Sequence, residues 1–251
     1  MISVLRDWLE VGEAITLLSR SALPLHPTPQ KNWDHALLTS IVAGLPTSAR
    51  IIDLGCGDGY TLLLLQALGF TDITGIDLIL NKRLRIRQAR EMWRRSTLKI
   101  PFKLYRADLT DTRLPHGSFD AAVSISTIEH GVDLPAFTAE ASRLLKPGGV
   151  LFMTTDYWED PIEVGESSTP FGLPWRVFDR AALEQLLLIA SAVGLKLIGD
   201  GRIPGCTKRT VVWNSVEYTF VAIGLRKWEN ENHSMKIEET RHRSANEQVI
   251  H

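Results

Sequence analysis

Strand-like and helix-like segments alternate along most of this chain, and no other feature limits its fold so strongly. "RIIDLG" (50–55) reads as a strand and "YTLLLLQALGF" (60–70) as a helix. "DITGIDL" (72–78) is a strand pattern, "NKRLRIRQAREMWRRS" (81–96) a helix pattern and "FKLYRADL" (102–109) a strand pattern. "FDAAVSIST" (119–127) follows as a strand, "LPAFTAEASRLLK" (134–146) as a helix and "GGVLFMTTD" (148–156) as a strand. "RAALEQLLLIASAVG" (180–194) is a helix, and "LKLIGDG" (195–201) and "VEYTFVAIGLRK" (216–227) are strands. Strands alternating with helices predict an α/β fold: a Rossmann-like, seven-stranded, mostly parallel sheet with right-handed crossovers and helices on both faces. No helical pattern separates the final two strands, so the last one is expected to enter antiparallel.

The segments outside this alternation divide the chain. Residues 1–20 have the spacing of an amphipathic helix, with Val4, Leu5, Trp8, Leu9 and Ile15 on one face. The proline-rich "LPLHPTPQ" (23–30) breaks it, and a second helix carries Trp33, Leu37, Ile41, Val42 and Leu45 on one side. Residues 1–45 thus form a helical segment, 46–228 the α/β domain and 229–251 a polar tail poor in large apolar side chains. At 251 residues and 44% hydrophobic content the chain can bury a sizeable core. A net charge of -1 gives no general attraction to nucleic acid or to an anionic membrane. Cys56 and Cys206, the only two cysteines, form no disulfide framework and no zinc spacing, which suits a cytoplasmic protein. No run of apolar residues is long enough to span a membrane.

"IIDLGCGDGY" (51–60) places Gly55, Gly57 and Gly59 directly after the first strand of the alternation. In an open α/β sheet, ligands bind at the carboxyl ends of the strands, and the first βα turn is a preferred place. Glycines there let the backbone approach a ligand that a Cβ would strike. Asp77, at the end of the next strand and 18 residues beyond Gly59, is placed to accept ribose hydroxyls. A dinucleotide enzyme would show G-x-G-x-x-G cradling a pyrophosphate. The spacing here is G-x-G-x-G with Asp53 just before it, and a carboxylate at the mouth of the turn favours a cationic ligand over an anionic one.

These segments resemble the class I S-adenosylmethionine-dependent methyltransferases. "IIDLGCGDG" is similar to their first motif, "ITGIDL" to their ribose-binding strand end and "ADLTD" to the segment whose acid meets the adenine amino group. "FDAAVSISTIEHG" and "LLKPGGVLFMTT" resemble their fourth and fifth strands. The resemblance covers about residues 48–157 and, more loosely, the last two strands. It implies S-adenosylmethionine as methyl donor and S-adenosylhomocysteine as product. By position, Gly55, Cys56, Gly57 and Gly59 would line the methionine part, with Asp53 near its ammonium group. Asp77 with Leu78 would hold the ribose, Asp108 with Leu109 would meet the adenine, and Ser124 to Ser126 would close the pocket behind the sulfonium. The resemblance also implies that residues 1–45 act as a lid, with Trp8 or Trp33 near the acceptor.

An alcohol or phenol acceptor needs a base, since the protonated hydroxyl is a poor nucleophile. His130, just past the fourth strand of the alternation, is the candidate, because an imidazole titrates near working pH. Asp156 ends the neighbouring strand and is expected to orient that imidazole, as in the His–Asp half of a triad. Glu129, His130 and Asp133 make a weak case for a metal, and none is expected. The stretch 157–179 is too long for a simple βα link and holds Tyr157, Trp158, Phe171, Trp175 and Phe178, suited either to a ring-shaped acceptor or to packing the loop onto the sheet. The expected function is methyl transfer to a hydroxyl of a small molecule, sugar-containing or of another natural-product type, without nucleic acid or membrane partners. Two alternatives stand beside it. "KRLRIRQAREMWRRSTLK" (82–99), with eight basic residues and one acid, could dock RNA or protein. The chain could also be an inactive donor-binding scaffold.

Overall fold

The computed structural model describes residues 1–80, 82, 84–86, 89–90, 102–165 and 169–228. The tail 229–251 and most of the basic stretch 82–99 lie outside the described residues. Nine strands are present among the described residues: β1 (Ile2–Val4), β2 (Arg50–Leu54), β3 (Asp72–Asp77), β4 (Lys103–Arg106), β5 (Phe119–Ile125), β6 (Leu145–Tyr157), β7 (Leu195–Leu197), β8 (Val211–Trp213) and β9 (Val216–Lys227). The helices are α1 (Trp8–Arg20), α2 (Lys31–Val42), α3 (Tyr60–Ala67), α4 (Leu134–Leu144) and α5 (Arg180–Ala192). The sheet runs β1-β9-β6-β5-β2-β3-β4. Strands β6, β5, β2, β3 and β4 are mutually parallel, and β9 enters antiparallel against β6, as the missing helix pattern implies.

The expectation of seven strands fails at one edge. The outer side of β9 is tiled by three short antiparallel strands: β7 opposite 225–227, β1 opposite 221–223 and β8 opposite 216–218. The β8–β9 hairpin turns through Asn214 and Ser215, both at positive φ (49° and 63°), as a tight hairpin requires. The expected helix over 1–20 is likewise corrected. Residues 2–4 satisfy their backbone groups against β9, and Asp7 then caps α1 by accepting from the amides of Leu9 and Glu10. The amphipathic spacing could not separate the two states, because Val4 and Leu5 are buried in either.

Side chains alternate between the two faces of the sheet. Ile51, Ala121, Val123 and Phe152 pack with α1, α2 and α3 on one face. Ile52, Leu54, Ala122, Leu151 and Met153 pack with α4 and α5 on the other. Strand β6 lies between two paired neighbours, so eight of its last nine residues are apolar or neutral and fully or almost fully buried, with Asp156 the one carboxylate among them. The carboxyl ends of β2, β3, β5 and β6 and the start of β9 therefore share one edge, and the N-terminal segment crosses one face of the sheet to reach it.

Candidate functional site at the carboxyl edge of the sheet

The glycine turn leaves β2 at Leu54. Backbone amides of Gly55 and Cys56 both donate to the Ile76 carbonyl, at 3.0 and 2.9 Å, which bends the chain sharply over the end of β3. Gly55 adopts φ +93°, and a Cβ built there would lie 2.4 Å from Thr127 Cγ2. Gly57, at φ +45°, faces open space among the described residues: a Cβ built there meets none of their atoms within 4 Å. The first glycine is thus required by the protein's own packing, while the second opens a space against bare backbone.

Asp77 joins this turn to the end of β3. One of its carboxylate oxygens accepts from the Gly57 amide and the other from the Ile79 amide, each at 2.9 Å. Asp53 lies below, 1% exposed, with Oδ2 lacking any hydrogen-bond partner among the described residues. Burial, and then the neighbouring Asp77, push its carboxyl up to about 8. An orphaned buried carboxylate beneath an open turn fits a ligand that brings a positive charge. Cys56 is buried and its thiol is held protonated by burial, so it serves packing rather than chemistry. Asp108 is exposed and accepts from the amide and hydroxyl of Thr110, shaping the turn after β4, while Leu109 is buried and Leu78 is exposed. Asp53, Asp77 and Asp108 therefore stand at or just past the ends of three adjacent strands.

The fourth-strand serines divide. Ser124 is fully buried, and its hydroxyl donates to the Leu54 carbonyl at 2.9 Å, tying β5 to β2. Ser126 sits just past β5 at φ +46°, an uncommon conformation for a residue with a side chain. Its amide donates to the Thr154 carbonyl (3.0 Å), and its hydroxyl accepts from the Lys31 ammonium.

Lys31 opens α2 and makes several contacts here that the sequence did not announce. Its ammonium pairs with Asp34 Oδ2 at 3.2 Å and stands 3.6 Å from the centroid of the Phe220 ring. Asp34, Glu129 and Asp156, all nearly or wholly buried, feel its charge. Each of these carboxyls is pushed upward by burial, Asp156 to about 6, and Lys31 opposes the rise. Glu129 accepts from the Thr155 hydroxyl at 3.1 Å.

Asp156 does not orient His130. Its Oδ2 accepts from Trp175 Nε1 at 2.8 Å, and the Tyr218 hydroxyl also bonds it. His130 Nδ1 is buried without a partner among the described residues. Adjacent strand ends do bring the two residues to one edge, but the indole and phenol of the aromatic loop and β9 compete for the carboxylate. Burial, then Lys31, lower the affinity of His130 for a proton, so the imidazole is neutral at neutral pH. The Phe171 ring, 79% exposed, lies edge-on to it at 5.5 Å. Of the other loop aromatics, Tyr157, Trp175 and Phe178 are buried and pack the segment onto the sheet. Asp133 caps α4 through the Ala136 amide.

The N-terminal segment covers both halves. Asn32 is buried and stitches residues 26–32 together, accepting from the His26 amide and donating to the carbonyls of His26 and Pro29. The His26 ring then rests 4.5 Å from that of Tyr60, the residue after the glycine turn. Trp33 is buried in a groove between α1 and α2 with Glu13 and Leu17, and Trp8 is exposed, so the side chains that α2 sends to the strand ends are Lys31 and Asp34 rather than an indole. The spacing of Lys31 and Asp34 after a proline-rich break marks a helix start, but nothing local tells which strand ends it meets.

Residues 52–153 match the family described as a methyltransferase domain. A ubiquinone biosynthesis O-methyltransferase from Xanthomonas oryzae pv. oryzae is 32% identical over 133 residues, which are 53% of this chain and 52% of that protein. The chain thus spans about half the length of the curated relatives it matches. Among solved structures, the [4+2]-cyclase SpnF superimposes with a TM-score of 0.61 at 19% identity, covering 89% of this chain and 95% of that one. The Burkholderia thailandensis 1,6-didemethyltoxoflavin-N1-methyltransferase, solved with S-adenosylhomocysteine, gives 0.57 at 17% identity over 78% and 77% of the two chains. Both show that the fold is shared.

Proposed function

From the premise that residues 52–153 match a methyltransferase-domain family, we propose that this chain uses S-adenosylmethionine to methylate a hydroxyl of a small, ring-shaped molecule with His130 as the proton acceptor. The observation that carries this reading is the meeting of an open glycine turn and a neutral imidazole at neighbouring strand ends. Thr127 stands between them: its side chain is the one a Cβ at Gly55 would strike, and its carbonyl accepts from the His130 amide at 3.1 Å. Asp53, with its unpartnered buried oxygen, would meet the donor's ammonium, and Asp77, already clamped to the turn, its ribose.

S-adenosylmethionine supplies a methyl group already activated on a sulfonium, so the protein's main task is alignment. A hydroxyl acceptor adds the need to lose a proton, and a neutral imidazole beside the Phe171 ring can take it. The exposed ring offers a face to a planar or sugar-like acceptor. A relative named as an O-methyltransferase supports oxygen as the methylated atom. Residues 1–45 act as a lid whose His26 rests at the donor turn and whose Lys31 reaches the acceptor edge.

The test uses labelled donor with either the small-metabolite fraction or the RNA and protein fractions of a cell extract. Label is expected in small molecules, and label confined to RNA or protein would overturn the reading. On the acceptor so found, His130→Ala is expected to lower turnover by ~10²-fold or more with donor affinity kept. Wild-type turnover in that variant would remove His130 from the chemistry.

A further inference from the structure

The N-terminal segment is anchored at both of its helices and less so between them. β1 pairs with β9, and Leu5, Val11 and Leu18 are buried. α2 buries Leu38 and Val42, and its first residue, Lys31, is held by Ser126 and Asp34. Between the helices runs a strap from Pro24 to Gln30, "PLHPTPQ", with Leu25 and Thr28 exposed. Three of its seven residues are prolines, which donate no backbone hydrogen bond but narrow the shapes a free strap can take. A single buried amide shapes it. Asn32, 1% exposed, accepts from the His26 amide at 2.8 Å and donates to the carbonyls of His26 and Pro29 at 3.1 and 2.9 Å. The Thr28 amide donates to His26 Nδ1 at 3.0 Å, which sets the rotation of the imidazole. So placed, that ring lies 4.5 Å from the Tyr60 ring, the two planes tilted by 60°. Tyr60 follows Gly59 directly and opens α3, whose first amides point toward a ligand on the glycine turn.

We infer that His26 is a donor-contacting residue and Asn32 its positioning residue: the strap lays the imidazole over the ligand on the glycine turn, and the ligand leaves when the strap lifts. This rests on the reading of that turn as the site of S-adenosylmethionine. The helices on either side are packed into the core, so the part of the lid that moves is the strap alone. Its closed form is well defined because Asn32 and the strap depend on each other. A buried amide is costly unless its hydrogen bonds are made, and here the strap backbone supplies the partners. When the strap lifts, water takes over those bonds, so the open form is within reach without unfolding either helix. A ring held in this way acts by contact and by excluding water, and its effect falls mainly on the rate of ligand release. The role asks no proton of the imidazole.

The test is the release of radiolabelled S-adenosylhomocysteine from the full-length protein during a chase with excess unlabelled ligand. Asn32→Ala is expected to release it at least about tenfold faster, in keeping with the loss of the hydrogen bonds that shape the strap. His26→Ala changes a half-buried position and leaves the Asn32 bonds, all to backbone groups, in place; it should speed release about threefold or more. With both changes, release should be no more than about twofold faster than in the faster single variant, because both act through one ring. A role of Asn32 confined to folding would give the same factor with and without that ring. Release from His26→Ala less than about threefold faster than from the wild type, or factors that multiply in the double variant, would overturn the inference. Absence of S-adenosylhomocysteine binding by the wild type would instead remove the methyltransferase reading, and the inference with it.

Discussion

At the glycine turn, the proposed donor site, the groups that hold the shape are backbone amides, whereas at the proposed acceptor edge they are side chains. Gly55, Cys56 and Gly57 give their N–H groups to the Ile76 carbonyl and to Asp77, and the Gly57 position is left open. Across the edge, the Lys31 ammonium ties Asp34 to the Ser126 hydroxyl, the Asp156 carboxyl ties Trp175 to Tyr218, and Glu129 takes the Thr155 hydroxyl. Backbone geometry is set by a short local run of residues, so one turn can serve a common ligand in many chains. A side-chain network draws on α2, β5, β6, β9 and a long loop, and it changes whenever one of them does. The donor half should therefore respond to changes in shape, and the acceptor half to changes in charge.

The strongest way to break this contrast is Gly57→Val. Among the described residues the position faces open space, so none of their atoms resists the side chain, although φ +45° makes it strained for valine. Calorimetry is expected to show loss of S-adenosylhomocysteine binding in a protein that still melts cooperatively. Retained affinity would mean that the open space at Gly57 is not where the ligand lies. Asp77→Ala is expected to follow, weakening binding by about 1.5–3 kcal/mol, the scale of hydrogen bonds to a charged group. It removes the proposed ribose partner and leaves the Gly57 and Ile79 amides without their acceptor.

Asp53 sharpens the comparison through pH. The folded protein holds its carboxyl proton up to about 8, whereas an unfolded Asp loses it near 4. Between those values the folded state binds the extra proton, so stability is expected to fall as pH rises through this window. The melting temperature of the ligand-free protein should decline from pH 5 to pH 8 more steeply than that of Asp53→Asn. A cationic ligand reverses the preference. Binding of S-adenosylhomocysteine near pH 7, measured in buffers of different ionisation enthalpy, should release a proton in the wild type but not in Asp53→Asn. Equal proton release in both would detach Asp53 from the ligand.

The alternation of patterns carried the parallel core, the antiparallel entry of β9 and the places of Asp53, Asp77 and Asp108 along successive strand ends, because each depends on a local period or on the end of a strand. It missed what long-range pairing decides. Residues 2–4 become a strand only because β9 offers an unpaired edge more than 200 residues away in sequence, and β7 and β8 fill the rest of that edge. His130 stands just past a strand, as its place in the sequence implies, yet its expected tie to Asp156 is lost to Trp175, a residue on the far side of a long loop. Lys31 was invisible for the same reason, since its partners lie on α2, β5 and β9.

Ser124 gives the smallest expected effect and tests where the donor half ends. The resemblance places it with Ser126 behind the sulfonium, but the two hydroxyls do different work. That of Ser126 faces Lys31 at the edge, while that of Ser124 is wholly buried and donates to the Leu54 carbonyl, one residue before the glycine turn. Ser124→Ala removes one neutral hydrogen bond between parallel strands and leaves an almost isosteric side chain, a loss of about 1 kcal/mol in unfolding free energy. The Leu54–Gly55 junction is also held by the two amides that bond Ile76, so the turn should keep its shape. Affinity for S-adenosylhomocysteine is then expected to stay within about twofold of wild type, less than 0.5 kcal/mol or so. A larger loss without a matching loss of stability would place the Ser124 hydroxyl in the binding site and extend the side-chain network into the donor half.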